Sequence, residues 1–136
     1  MKKTFNYKFK IYYEDTDSGG VVYYANYLKF FERARSEAIY SMKLSNKILL
    51  NNYGILIIVK SCNTKYIRPA KLEDKLEIKS IVKSITKTSF IMNQFIYRKK
   101  ELITEADIHL VSVDQSGKPK KIPEILYKKL KKILIS

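Results

Sequence analysis

Two aspartates, Asp15 and Asp17, stand just ahead of a long amphipathic run, and Gly19 and Gly20 follow them within EDTDSGGVVYYANYLKFFERAR, residues 14–35. A carboxylate at a helix start sits where free backbone N–H groups and the helix dipole favour negative charge. Capping of those amides by Asp15, Asp17 or Ser18 is one reading, and it needs only one of the three. The glycine pair opens a second, because two residues without side chains admit unusual dihedrals and let a ligand approach the backbone. A carboxylate facing such a ligand would attack a carbonyl carbon or activate water, while the free N–H groups hold the oxyanion. Those are the parts of an acyl-transfer site. An ordinary aspartate, with a pKa of about 3.9, is ionised at neutral pH and does this without a histidine.

The elements that must position these groups follow from periodicity. FNYKFKIYY, residues 5–13, alternates loosely with aromatic and β-branched side chains and predicts a strand. Tyr27, Phe30, Phe31, Ala34, Ala38 and Ile39 recur every three or four residues, with Lys29, Glu32, Arg33, Ser36 and Glu37 on the other face, which predicts a helix. Residues 45–53 read as a short helix before Gly54, and strands are expected over 55–66, 75–86, 89–99 and 103–113. Pro123 suits a helix start, and Ile122, Leu126, Leu130 and Ile133 form the apolar stripe of a closing helix. A strand, a long helix and then four strands predict one α+β domain over residues 1–136, with an antiparallel sheet of about five strands burying its apolar face on one long helix.

Composition narrows the partners. The net charge of +14 asks for an anionic one, yet arginine occurs only at 33, 35, 68 and 98 and no nucleic-acid motif is present, so nucleic acid is not expected. Seven of the last nineteen residues are lysine. Such a helix can lie on anionic lipid, but docking on its own domain with a solvated basic face is the preferred reading. No run reaches the roughly 18–20 apolar residues of a membrane span, and the basic start lacks an apolar stretch behind it, so a cytoplasmic protein is expected. Cys62 is the only cysteine and His109 the only histidine, which excludes an intrachain disulfide and a Cys/His metal site. Cys62 reads as a small buried hydrophobe and His109 as a packed or surface residue. Asp15 and Asp17 have only Glu14 nearby as a third acid, so no metal and no cofactor is expected.

The ordered run from Asp15 to Tyr27, followed by LKFFERARSE and continued by IRPAKLEDKLEI and IPEILYKKL, resembles the 4-hydroxybenzoyl-CoA thioesterase family. It is most similar to the YbgC-like acyl-CoA thioesterases associated with the Tol-Pal system. The resemblance implies the hotdog fold, an antiparallel sheet wrapped around one long helix, in a homodimer or homotetramer with active sites between protomers. It implies thioester hydrolysis of an acyl-CoA with Asp17 as nucleophile or general base. The oxyanion and substrate-binding positions fall on Tyr24, through its backbone N–H, and on Gly20 and Val21. Lys87 and Ser89 become candidates for binding the CoA nucleotide, and acyl carrier protein a possible second carrier. Tyr24 stands where the YbgC-like pattern has histidine, which removes a side chain able to assist proton transfer and leaves the backbone donor untouched. A lone histidine far from the signature counts against a hotdog dehydratase. Two other classes remain: a non-catalytic acyl-CoA or acyl-carrier-protein binding module, and a peripheral membrane-associated adaptor using the basic tail.

Overall fold

The apolar stripe from Tyr27 to Ile39 is the organising element, because all six of its residues are buried along one face of an eighteen-residue helix. The computed structural model describes residues 4–134. In chain order these form β1 (Phe5–Lys10), α1 (Tyr24–Ser41), α2 (Asn46–Tyr53), β2 (Leu56–Tyr66), β3 (Lys75–Ile85), β4 (Ser89–Arg98), β5 (Glu101–Val113) and α3 (Glu124–Lys131). The strands make one sheet in the order β1-β3-β4-β5-β2, antiparallel throughout. Alternate residues of the three central strands, such as Ile78, Met92 and Ile108, turn inward and pack in the core that contains the α1 stripe. The expected α+β arrangement of five antiparallel strands and one long helix is the one observed.

Local chemistry sets the element ends. The Ser45 hydroxyl accepts the Ile48 N–H to start α2, and Gly54, at φ 67°, ends it in the left-handed region. β1 stops at Lys10, three residues before the alternation does. There the Asp15 carboxylate accepts the Tyr12 N–H at 2.9 Å, and a single 3-10 turn over Tyr13–Asp15 takes the chain out of the ladder. At the other end of the chain, Ile122, Leu126 and Leu130 are buried while Lys128, Lys131 and Lys132 are exposed. The basic tail is therefore docked on its own domain.

One helix does not cover this sheet. Five strands spaced about 4.8 Å apart span about 20 Å, whereas a helix with its side chains is about 10–12 Å across. α1 lies against β1 and β3. At the far edge, the inward-facing Val59 and Tyr66 of β2 remain 47% and 44% exposed. Cys62, expected to be buried, is exposed, since it faces inward on the edge strand where the cover of α1 is incomplete.

Beneath the helix, Gln94 is fully buried at the centre of a polar link. Its amide nitrogen donates to the Phe31 carbonyl (3.1 Å) and the Ser80 hydroxyl (3.0 Å), and its oxygen accepts from Arg35 (3.0 Å). The link joins α1 to β3 and β4. Gln94→Ala would leave the Arg35 guanidinium and the Ser80 hydroxyl short of partners, and is expected to lower unfolding stability in a urea titration by about 2–4 kcal/mol.

Candidate active site

The residues between β1 and α1 fold into a closed turn held by its own main chain. The Asp17 N–H donates to Val21 O (2.9 Å), and the Gly20 N–H to Asp17 O (3.1 Å). Asp17 Oδ1 accepts the Gly19 N–H at 2.8 Å and, at longer range, the Val21 N–H at 3.4 Å. Gly20 sits at φ +80°, where a side chain is strained. A Cβ on Gly19 would lie 3.3 Å from Asp17 Oδ1. The glycine pair thus serves two purposes: one member supplies the left-handed turn, the other the room for a carboxylate.

The two aspartates have separate work. The Asp15 side chain is spent on the Tyr12 N–H, and its carbonyl receives the Tyr23 N–H (3.2 Å) and Asn26 Nδ2 (2.8 Å). Asp17 is exposed and lines a cleft of about 450 Å3, with Oδ2 unpartnered among the described residues. Neither caps α1 through its side chain: the N-cap is Tyr23, and no side-chain oxygen bonds the first turn. The Tyr24 N–H consequently has no acceptor among the described residues. Asp17, with an open carboxylate oxygen, and Tyr24, whose helix amide is free, both line this cleft.

Of the other sequence-derived candidates, Val21 lines the cleft and Gly20 shapes the turn, but both of their N–H groups are turned to Asp17. Tyr27 is core, 2% exposed, whereas Tyr23 and Tyr24 are 59% and 67% exposed on the cleft wall. Lys87 and Ser89 are not brought to Asp17 within one protomer. Lys87 lies in the β3–β4 turn and Ser89 opens β4, at the end of the eleven-residue β3 remote from the cleft, roughly 30 Å away at the rise of a strand. The Ser89 hydroxyl is also engaged there by Thr86 Oγ1 at 2.8 Å. His109 is half-buried on β5, paired opposite Ser61 and Ile91. Among the described residues no three His, Cys, Asp or Glu side chains converge as a metal site would require, and no helix is long and apolar enough to cross a membrane.

The opposite wall is what the sequence concealed. Tyr66, Ile67, Arg68 and Pro69, at and after the end of β2, face the α1 start across the cleft, and the Tyr66 ring lies 4.9 Å from that of Tyr24 and 5.2 Å from that of Tyr27. Only Pro69, as a strand terminator, carried a local signal. The wall is anchored by Arg98, whose Nη1 donates to Pro69 O (3.0 Å) and Asp74 Oδ2 (2.9 Å), and whose Nη2 donates to Glu101 Oε1 (3.2 Å). These carboxylates hold the guanidinium pKa above its usual value, with the Asp74 hydrogen bond the largest cause. A smaller cavity of about 160 Å3, lined by apolar residues such as Ile39, Met42, Leu110 and Leu126, has Glu32 and Arg35 as its charged groups, and there the Glu32 carboxylate accepts the Ser36 hydroxyl.

Residues 12–130 match the family model described as the thioesterase-like superfamily. The acyl-CoA thioester hydrolase YbgC of Escherichia coli O6:H1 is 36% identical over 129 residues, covering 93% of this chain and 96% of its own. A probable thioesterase from Bartonella henselae superposes with a TM-score of 0.85 at 29% identity, over 89% of this chain and all of that one. The Staphylococcus aureus protein SAV2348, solved in complex with CoA, shares the fold at a TM-score of 0.90 and 16% identity, over 98% of this chain and 85% of its own. A hotdog sheet, a carboxylate-bearing turn ahead of its central helix and a match over nearly the whole chain lead to one assignment: the chain belongs to the thioesterase-like superfamily.

Proposed function

We propose that the protein hydrolyses acyl-CoA thioesters to the free acid and coenzyme A, with Asp17 as the catalytic residue. The observation that carries this reading is the shared cleft, in which the exposed Asp17 carboxylate and the unpartnered Tyr24 N–H lie at the start of α1. A thioester whose carbonyl oxygen accepts the Tyr24 N–H presents its carbonyl carbon to the carboxylate. Asp17 then either attacks, expelling the thiolate and forming an anhydride that water opens, or takes a proton from the water that attacks. In both routes the negative charge that develops on the carbonyl oxygen meets the amide and the helix dipole. Val21, Tyr24 and Tyr66 border the acyl group, and Gly20 keeps the turn in shape. The chain's kinship with acyl-CoA thioester hydrolases supports the choice of carrier.

The protein in this reading works as a homodimer or higher homo-oligomer. β2 is an edge strand of eleven residues with exposed Leu56, Ile58 and Val59, and an unpaired apolar edge is a template for a second chain. A second copy added there would also cover the inner face that α1 leaves open. Lys87 and Ser89 then serve CoA only from the neighbouring protomer, and the same lysine-rich surface suits acyl carrier protein as an alternative carrier. An exposed free thiol at Cys62 fits a reducing, cytoplasmic setting. The Tol-Pal association is carried by the sequence resemblance alone. The docked α3 offers lysines but little apolar surface to a membrane, which disfavours the adaptor reading.

Asp17→Asn keeps an oxygen able to accept the Gly19 and Val21 amides, so the turn survives the change. Thiol release from a panel of short, long and aromatic acyl-CoAs is expected to fall on the order of a hundredfold or more in this variant, with oligomeric state and melting temperature retained. Equal rates in the two proteins would sink the assignment of Asp17. Ile58→Lys, which places a charge on the exposed edge strand, is expected to shift light-scattering mass to that of one chain and to lower thioesterase activity with it. A monomeric variant as active as the wild type would refute the shared site.

A further inference from the structure

We propose that Asn26 and Tyr27, neighbours in the first turn of α1, are positioning residues that hold the two walls of the cleft in register, Asn26 the turn bearing Asp17 and Tyr27 the Pro69–Ala70 segment opposite. The inference rests on the reaction proposed above for the role of the cleft, but its structural part stands on separate contacts. All the hydrogen bonds of Asp17 are to Gly19, Gly20 and Val21, inside its own turn, and none reaches the helix. The turn is instead tied to α1 two residues earlier, where Asn26 Nδ2 donates to Asp15 O at 2.8 Å beside the Tyr23 N–H at 3.2 Å. Asn26 is thus the side chain that fixes how far the carboxylate stands from the free amide of Tyr24.

Tyr27 acts on the other side. One residue along a helix turns about 100°, so adjacent side chains leave in different directions. The Tyr27 hydroxyl accepts the Ala70 N–H at 3.1 Å, in a buried contact across 43 residues of chain. The Ala70 carbonyl in turn accepts the Val22 N–H at 2.9 Å, returning to the end of the catalytic turn. A closed circuit results: helix to Ala70, Ala70 to Val22, Val22 through the turn to Asp15, and Asp15 back to the helix. Burial raises the Tyr27 phenol pKa, which keeps the hydroxyl neutral. Its ring also meets that of Tyr66 edge-on at 5.2 Å, so one residue sets both the height of the wall and the attitude of its aromatic face.

Amide hydrogen exchange on the full-length protein tests the tethers without reference to catalysis. Asn26→Asp, which keeps the shape and removes the donor, and Asn26→Ala are each expected to speed exchange in residues 15–22 about tenfold, the worth of one hydrogen bond, with β4 and β5 unchanged. Tyr27→Phe should do the same over residues 70–72. Exchange within about twofold of wild type in these segments overturns the proposal. On a thioester that the wild type hydrolyses, both Asn26 variants should lose about ten- to hundredfold in kcat with KM held within threefold, as a sub-ångström misplacement of Asp17 predicts. Tyr27→Phe should act chiefly on KM. Wild-type kcat in Asn26→Asp also overturns the positioning role, because a residue needed only for its shape would tolerate that change. A wild type silent on every thioester instead defeats the proposed reaction, and exchange still decides whether the tethers exist.

Discussion

A helix roughly 10 Å across lies on a sheet roughly 20 Å wide, and the surplus width governs where this chain can bury apolar surface. α1 is placed over the β1–β3 side, where its phenylalanines meet Phe9 and the inward residues of the sheet. α3 closes part of the remainder with Leu126 and Leu130, and α2 packs near β2. Val59, Cys62 and Tyr66 are only partly covered on the edge strand. Tyr66 belongs at once to that partly covered strip and to the cleft wall, so the shortage of helix and the opening of a site are the same geometric fact.

The site is built mostly from main chain. Asp17 is held by amides of its own turn, the turn by carbonyls and amides of Asp15, Val22 and Ala70, and the far wall by an arginine that grips the Pro69 carbonyl. Backbone groups have fixed positions once the fold is set, which suits a reaction in which charge must be met without reorganisation. The absence of a side-chain N-cap follows the same logic. Because no side-chain oxygen of Asp15, Asp17 or Ser18 bonds the first turn of α1, the Tyr24 amide is left without an acceptor among the described residues.

What the sequence disclosed depended on range. The α1 stripe, the short α2 ending before Gly54, the central strands and the docking of α3 were legible because each is a pattern within a few residues, read directly as periodicity or punctuation. Asp17 and Tyr24 were singled out by the family resemblance, because local chemistry alone left Asp15, Asp17 and Ser18 equally open as helix caps. Tyr66 and Ala70 were not, since their places beside α1 depend on where β2 and the following segment land in the sheet. The exposure of Cys62 depends on the same strand order. The early end of β1 was missed for a smaller reason: Ile11 makes the last bonds to the neighbouring segment, at Glu73 and Asp74, and the chain then enters the 3-10 turn at Tyr13.

Tyr23 and Tyr24 line the cleft with exposed side chains, Tyr24 against Tyr66, while their backbone position is fixed by helix start and turn. Any residue except proline presents an N–H there. The cleft rim is consequently a place where sequence can drift without dismantling the machinery behind it. Exchange of tyrosine for histidine or a smaller residue reshapes what the mouth admits, and the main-chain donor is inherited unchanged. Under the reaction proposed above, substitution at this helix start changes what the cleft admits and leaves the chemistry under a separate constraint, so the scaffold can change its choice of acyl group without rebuilding its donor.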